Sequence, residues 1–305
     1  MKLLITGASG LLGINLAMEA MRAHEVIGVD RGKLKSAPFQ VLQADLLHRD
    51  ALDSVLDSAQ PDALINCAAL ANFEECEEHP ERARILNAEM PGQLAHACAR
   101  RNISFIHLST DAVFDGAKTG SYTEEDVPNP QGVYSHSKLD GERAVQQANA
   151  QAIIARVNFF GWSLTNGRSL GEFFVNNLSA EKPVNGFTDV IFCPMLVNHT
   201  ARLLLEILEK KLGGLYHVVG AQPMSKYQFG LEVARKFGLK ENLISPKSVE
   251  GSGLTAKRSH NLWLSVHKLS TDLGDVIPNF STGLDEFYTQ YQQGYPQKIR
   301  GYQQL

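Results

Sequence analysis

The chain has 305 residues, 44% hydrophobic and 20% charged, enough for one large domain with an appended lobe. A net charge of −4 supplies no broad basic surface for nucleic acid, and no apolar run approaches the ~20 residues of a membrane-spanning helix. Cys67, Cys76, Cys98 and Cys193 form no C-x-x-C pair, and the ten histidines show no metal-ligand spacing, so a cytoplasmic protein without disulfides or metal is expected.

Short apolar runs alternate with helix-like stretches along the first half. Met1–Thr6 is too short for the apolar part of a signal peptide, so Lys2–Ile5 reads as a buried first strand. Thr6-Gly-Ala-Ser-Gly-Leu-Leu-Gly13 follows it and opens a helix over Leu11–Arg22. In that setting Gly7 permits a tight turn, Gly10 a close approach of backbone to a pyrophosphate, and Gly13 close helix packing. Ser9, Leu11 and Leu12 complete the loop, whose unpaired N–H groups sit at a helix N-terminus suited to phosphate.

Glu25–Val29 reads as the second strand and ends at Asp30-Arg31. Asp30 there can accept from a ribose hydroxyl, favouring NAD, whereas Arg31 can hold a 2′-phosphate, favouring NADP. NADP or NAD is therefore expected, with the balance toward NADP. Ala63–Asn66, Ser104–Leu108 and Ala152–Arg156 read as further strands, and Pro80–Arg100 and Val133–Asn149 as helices. This alternation predicts an α/β Rossmann-type fold, a doubly wound parallel sheet.

Beyond Gly161 the pattern loosens. A cofactor-binding domain over residues 1–160, with a return segment at 189–220, is expected. Residues 161–188 and 221–305 would form a smaller α/β substrate lobe, whose polar end from Tyr288 to Leu305 reads as loosely held.

Tyr134 and Lys138 lie four residues apart, hence on one helix face. A phenol of pKa ~10 is a weak acid at neutral pH, and a neighbouring ammonium would favour its ionised form. The acidic run Glu74, Glu75, Glu77, Glu78 and Glu81 reads as a solvated helix start, because carboxylates there complement the helix dipole.

Taken with Leu108-Ser-Thr-Asp-Ala-Val-Phe-Asp-Gly116, Tyr122-Thr-Glu-Glu-Asp126 and Ser137-Lys-Leu-Asp-Gly-Glu142, these features resemble extended short-chain dehydrogenase/reductases of the dTDP-4-dehydrorhamnose reductase type. The resemblance implies Thr110, Tyr134 and Lys138 as catalytic residues and a nucleotide sugar as substrate. It implies cofactor contacts from Asp45, Leu46, Cys67, Ala68, Ala69, Asn87, Tyr134 and Lys138. For the substrate it implies Asp111, Val113, Phe114 and Arg258, and it allows a homodimer. Ala112 and Ser135 depart from the family pattern, which usually has an aromatic and a glycine there.

The activity implied is NAD(P)H-dependent reduction of a nucleotide-linked 4-keto-6-deoxy sugar. The chain also resembles the regulatory beta subunit of methionine adenosyltransferase, a binding module on the same fold. A nucleotide-sugar epimerase is a further alternative; a 4,6-dehydratase is disfavoured, since Ala112 stands where those enzymes carry Glu.

Overall fold

The computed structural model describes residues 1–32, 34–250, 253, 256, 258–274 and 277–303. Its central strands are apolar on both faces, as a sheet covered on both sides requires. Along β1 (Lys2–Thr6), Leu3 and Ile5 join one core and Leu4 the other, the alternation of a strand. The glycine loop leads into α1 (Leu11–Ala20), followed by β2 (Glu25–Asp30), β3 (Gln40–Gln43), α2 (Arg49–Ala59) and β4 (Ala63–Asn66). Next come α3 (Phe73–Glu78), α4 (Pro80–Arg84), a π-helical turn at Ile85–Glu89, α5 (Met90–Arg101), β5 (Ser104–Thr110), α6 (Val133–Ala148) and β6 (Ile153–Val157).

Short strands β7 (Phe159–Phe160), β8 (Val184–Phe187), β9 (Ile191–Phe192) and β10 (Met195–Leu196) accompany α7 (Leu170–Ser179). After them run α8 (Val197–Glu209), β11 (Gly214–Val218), β12 (Met224–Ser225), α9 (Lys226–Phe237) and β13 (Ile244–Lys247). Helices α10 (His267–Leu273), α11 (Phe280–Gln292) and α12 (Tyr295–Gly301) close the chain. Among the described residues seven strands form one parallel sheet in the order β11-β6-β5-β4-β1-β2-β3. The fold is α/β and Rossmann-like.

Helices α1 and α8 pack on one face through Leu12, Leu16, Leu204 and Ile207; α2, α5 and α6 cover the other through Leu56, Leu94 and Val145. A separate aromatic core of Phe160, Trp162, Phe174, Phe229 and Phe287 lies beneath α7, α9 and α11. Order reverses between β1 and β4, which opens the crevice at the carboxyl ends of the strands where such sheets bind ligands.

Three local readings of the sequence need correction. The stretch expected as one helix over Pro80–Arg100 is α4, a π turn and α5, so the helical phase shifts at Asn87. The polar end is not loose: Pro296 and Ile299 are buried, and the Lys35 and Ser36 N–H groups donate to the Tyr302 carbonyl at 2.9 and 3.2 Å. Gln304 and Leu305 lie outside the described residues. The glutamate run does start helices, with Glu74 and Glu75 in the first turn of α3 and Glu81 in that of α4, but not all of it is merely solvated. Glu77 Oε1 accepts from Val133 N–H at 2.9 Å, bracing the start of α6, and Glu74 Oε1 accepts from Arg258 at 3.1 Å.

Candidate active site

At Gly7 and Gly13 the glycine loop is built from backbone contacts too close for a side chain. Gly7 has φ +63°, and a Cβ there would lie 2.8 Å from Ala68 backbone atoms. At Gly13 a Cβ would meet the Gly7 carbonyl oxygen at 2.2 Å, so this glycine lets α1 start against the turn. Leu11 and Leu12 are buried in the core, leaving only their backbone toward the loop.

The crevice beside this loop is about 160 Å³. It brings together Gly7, Ser9, Gly10, Asp30, Arg31, Asp45, Leu46, Cys67, Ala68 and Ala69 from the ends of β1, β2, β3 and β4. Arg82 and Arg168 also line it; nothing in the sequence patterning marked them. Asp30 Oδ2 accepts from Ser9 N–H at 3.1 Å, so this carboxylate braces the loop as well as facing the crevice, while Arg31 is exposed at its rim. These residues fit a dinucleotide: a backbone cradle at a helix N-terminus, with no room for a Cβ at Gly7 or Gly13, lies next to an acid and cations.

Asn87 lies behind this wall. Its Oδ1 accepts from Leu70 N–H at 2.8 Å, and its Nδ2 donates to the Leu70 carbonyl and to Ser137 Oγ, both at 3.0 Å. The expected cofactor contact is therefore replaced by a clamp between the segment after β4 and α6. The π turn aims Asn87 inward.

A second cleft of about 250 Å³ is lined by Thr110 and Asp111 from the end of β5, Tyr134 and Ser135 from α6, and Arg258. Ala112, Asn158, Lys226 and Phe73 complete much of its surface. The Phe73 ring lies 4.4 Å from that of Tyr134, and the Arg258 guanidinium sits 4.1 Å from the Phe73 centroid. Asp111 accepts from Thr110 Oγ1 at 3.1 Å and from the Asn158 amide, and burial pushes its carboxyl up. Asn158 was missed in the sequence, yet it directly follows β6 at the binding edge of the sheet.

Val113 and Phe114 do not reach the cleft. Both are fully buried, and the Phe114 ring stacks on Tyr122 at 4.2 Å beside the Arg156 guanidinium. Tyr122 in turn donates to Asp115 at 2.9 Å, while Glu124 accepts from His217 N–H at 3.0 Å. Much of the sequence pattern around the catalytic candidates thus holds the local fold together.

Tyr134 faces Thr110 across the cleft, and burial pushes its phenol above the ordinary value. Lys138 is buried one turn on, and its Nζ donates to the Leu108 carbonyl at 2.5 Å. The expected lowering of the phenol by Lys138 is absent from this resting arrangement, because the ammonium is directed to the end of β5. Burial instead lowers Lys138 to about 8. Its charge lies within electrostatic reach of Cys67, on the cofactor side.

A family model, the RmlD substrate binding domain, matches residues 1–293. The chain belongs to this family. It is 32% identical over 285 residues to a probable low-salt glycan biosynthesis reductase, Agl14, of Haloferax volcanii, covering 92% of this chain and 95% of that one. It is 31% identical over 289 residues to a dTDP-4-dehydrorhamnose reductase of Aggregatibacter actinomycetemcomitans, covering 90% and 93%. It is also 30% identical over 296 residues to methionine adenosyltransferase 2 subunit beta of Mus musculus, covering 93% and 86%. A crystal structure of dTDP-4-dehydrorhamnose reductase from Bacillus anthracis in complex with NADP superposes with TM-score 0.86 at 24% identity, covering 95% and 99%. That superposition supports the fold. Among the described residues no helix is long and apolar enough to cross a membrane.

Proposed function

We propose that the protein reduces the keto group of a nucleotide-linked 4-keto-6-deoxy sugar with NAD(P)H. The observation that carries this reading is the meeting of Thr110 and Tyr134 in one cleft, with Lys138 one helical turn behind, beside a crevice built for a dinucleotide. In this reading residues 1–160 and 189–220 hold the cofactor, and 161–188 and 221–305 the sugar nucleotide. The NADP carried by the Bacillus anthracis relative and the exposed Arg31 favour NADP here.

Bound in the crevice, the reduced nicotinamide would supply hydride. Tyr134, a phenol whose ordinary pKa of ~10 burial raises further, is protonated at neutral pH and can give its proton to the alkoxide formed from the keto group. Thr110 orients that oxygen through its hydroxyl. Lys138 holds the ribose and, when drawn from the Leu108 carbonyl toward the phenol, supplies the charge that eases proton transfer. Arg258, stacked on Phe73, would face the nucleotide phosphates.

A regulatory role is the second reading, favoured by the 30% identity to methionine adenosyltransferase 2 subunit beta. The two separate in one experiment: a panel of nucleotide 4-keto-6-deoxy sugars incubated with NADPH or NADH. Ketosugar-dependent cofactor oxidation supports the reductase. No turnover of any, together with altered activity of a co-purifying enzyme, would replace it with the regulatory reading.

A further inference from the structure

Lys226 is the first residue of α9 and lines the same cleft as Thr110, Tyr134 and Arg258. No described residue forms a hydrogen bond or salt bridge with its side chain. Three features make this an unfavourable place for a lone cation. It stands at the positive end of a helix dipole, it is partly buried in the wall of the cleft, and Arg258 adds like charge nearby. Asp111 is within electrostatic reach, but its oxygens already accept from Thr110 and Asn158. Burial and Arg258 accordingly lower the Lys226 pKa.

Arg258 differs. Its guanidinium donates to Glu74 Oε1 and to the Ala256 carbonyl, both at 3.1 Å, and packs on Phe73. The local fold therefore accounts for Arg258 without a ligand, whereas Lys226 lacks such an account. An ammonium that lines a cleft beside a second cation, with no hydrogen-bond or salt-bridge partner among the described residues, is best explained by an anion that enters the cleft.

We propose that Lys226 is the principal cation for the diphosphate of the sugar nucleotide, with Arg258 as the fixed wall beside it. This rests on the nucleotide-sugar reading above. Phosphate oxygens supply a negative charge to pair with Lys226, and binding them offsets its repulsion with Arg258. Because the diphosphate does not change during reduction of the keto group, the contact is equal in ground and transition states. Lys226 therefore governs substrate affinity and leaves the chemical step alone.

The test is calorimetry of dTDP and UDP, in the presence of NADPH, on the full-length protein and its Lys226→Met and Lys226→Arg variants. Loss of one charge-assisted contact should weaken the nucleoside diphosphates about tenfold or more in Lys226→Met. Lys226→Arg should stay within about threefold of the parent, since charge is kept. NADPH affinity, measured separately, should not move, and with a ketosugar substrate KM should rise while kcat holds. If the parent binds a nucleoside diphosphate and Lys226→Met binds it equally well, the Lys226 assignment falls while the nucleotide-sugar reading stands. If the parent binds neither dTDP nor UDP, both fall. A matching loss of NADPH affinity in Lys226→Met would make the residue structural and overturn the assignment.

Discussion

Phe73 packs against Tyr134 with ring centroids 4.4 Å apart and an interplanar angle of 40°, so the first residue of α3 fixes the phenol that opens onto the cleft from α6. Arg258 lies on the same ring, 4.1 Å from its centroid. One aromatic side chain thus couples Tyr134, the proposed proton donor, to Arg258. Phe73→Ala should lower kcat/KM about tenfold, since misplacing a catalytic group by a fraction of an ångström costs on that scale. Cofactor affinity should hold. Steady-state kinetics with and without the variant checks this; unchanged kcat/KM would show that Tyr134 needs no such support.

Tyr134→Phe removes the proposed proton donor while keeping the ring against Phe73. Ketosugar-dependent NAD(P)H oxidation should fall roughly 10²-fold or more, the scale of general acid catalysis. Cofactor binding, followed by fluorescence titration, should change little. Retention of turnover would remove Tyr134 from its catalytic role.

The glycines separate binding from folding. At Gly10 a Cβ would lie 3.0 Å from the Gly7 carbonyl, tight but tolerable, whereas at Gly13 the distance is 2.2 Å. Gly10→Val should abolish dinucleotide binding in a folded protein, because the added side chain occupies the approach to the backbone. Gly13→Val should lower the thermal transition itself, as overpacking against backbone typically costs about 1–3 kcal/mol or more. Calorimetry with NADPH and a melting curve on each variant distinguish the two; equal melting temperatures would contradict the packing argument.

The parallel sheet was legible because its strands are short apolar runs bounded by glycine, asparagine or aspartate, and because helix-period segments separate them. β3 was not, since Gln40–Gln43 is a half-exposed edge strand with only Val41 and Leu42 to mark it. Tyr134 and Lys138 could be placed on one helix face from spacing alone. Phe73 and Lys226 could not, because each reaches the cleft from an element far along the chain. The motif around Val113 and Phe114 misled for a related reason: a segment adjacent to Thr110 is equally suited to pack the core beneath it, as the buried Phe114–Tyr122 stack does. The Lys138 ammonium shows the same limit, since its partner, the Leu108 carbonyl, is set by the register of β5 and α6.

Lys138 links pH to stability with a definite sign. Its pKa falls from 10.5 to about 8 on burial, so between those values the unfolded chain binds more protons than the folded one. Stability without cofactor should therefore rise with pH through that window: the penalty for the buried charge is full below about 8 and gone above 10.5. At about 1.4 kcal/mol per pKa unit, the rise attributable to Lys138 is of the order of 3 kcal/mol. Lys138→Met should lack it, so the difference in unfolding free energy between parent and variant should shift by that amount from pH 7 to pH 10.5. Urea titrations at several pH values measure this, and a constant difference would contradict it.

The proposed preference for NADP rests on the contrast between Asp30 and Arg31. Asp30 is buried and accepts from Ser9 N–H, so part of its capacity serves the glycine loop, whereas Arg31 is exposed at the rim of the same crevice. A guanidinium there can engage a 2′-phosphate through two parallel hydrogen bonds, each charge-assisted, and gains nothing comparable from a 2′-hydroxyl. Arg31→Ala should therefore weaken NADPH about tenfold or more while leaving NADH within about twofold. Because Arg82 and Arg168 line the crevice too, residual preference for NADPH is expected, and a second substitution at Arg168 should reduce it further. Titration of both nucleotides against parent, single and double variants gives the affinity ratios directly. A ratio unmoved by Arg31→Ala would mean that the 2′-phosphate lies away from the end of β2, and that Asp30 governs the pocket as a ribose acceptor.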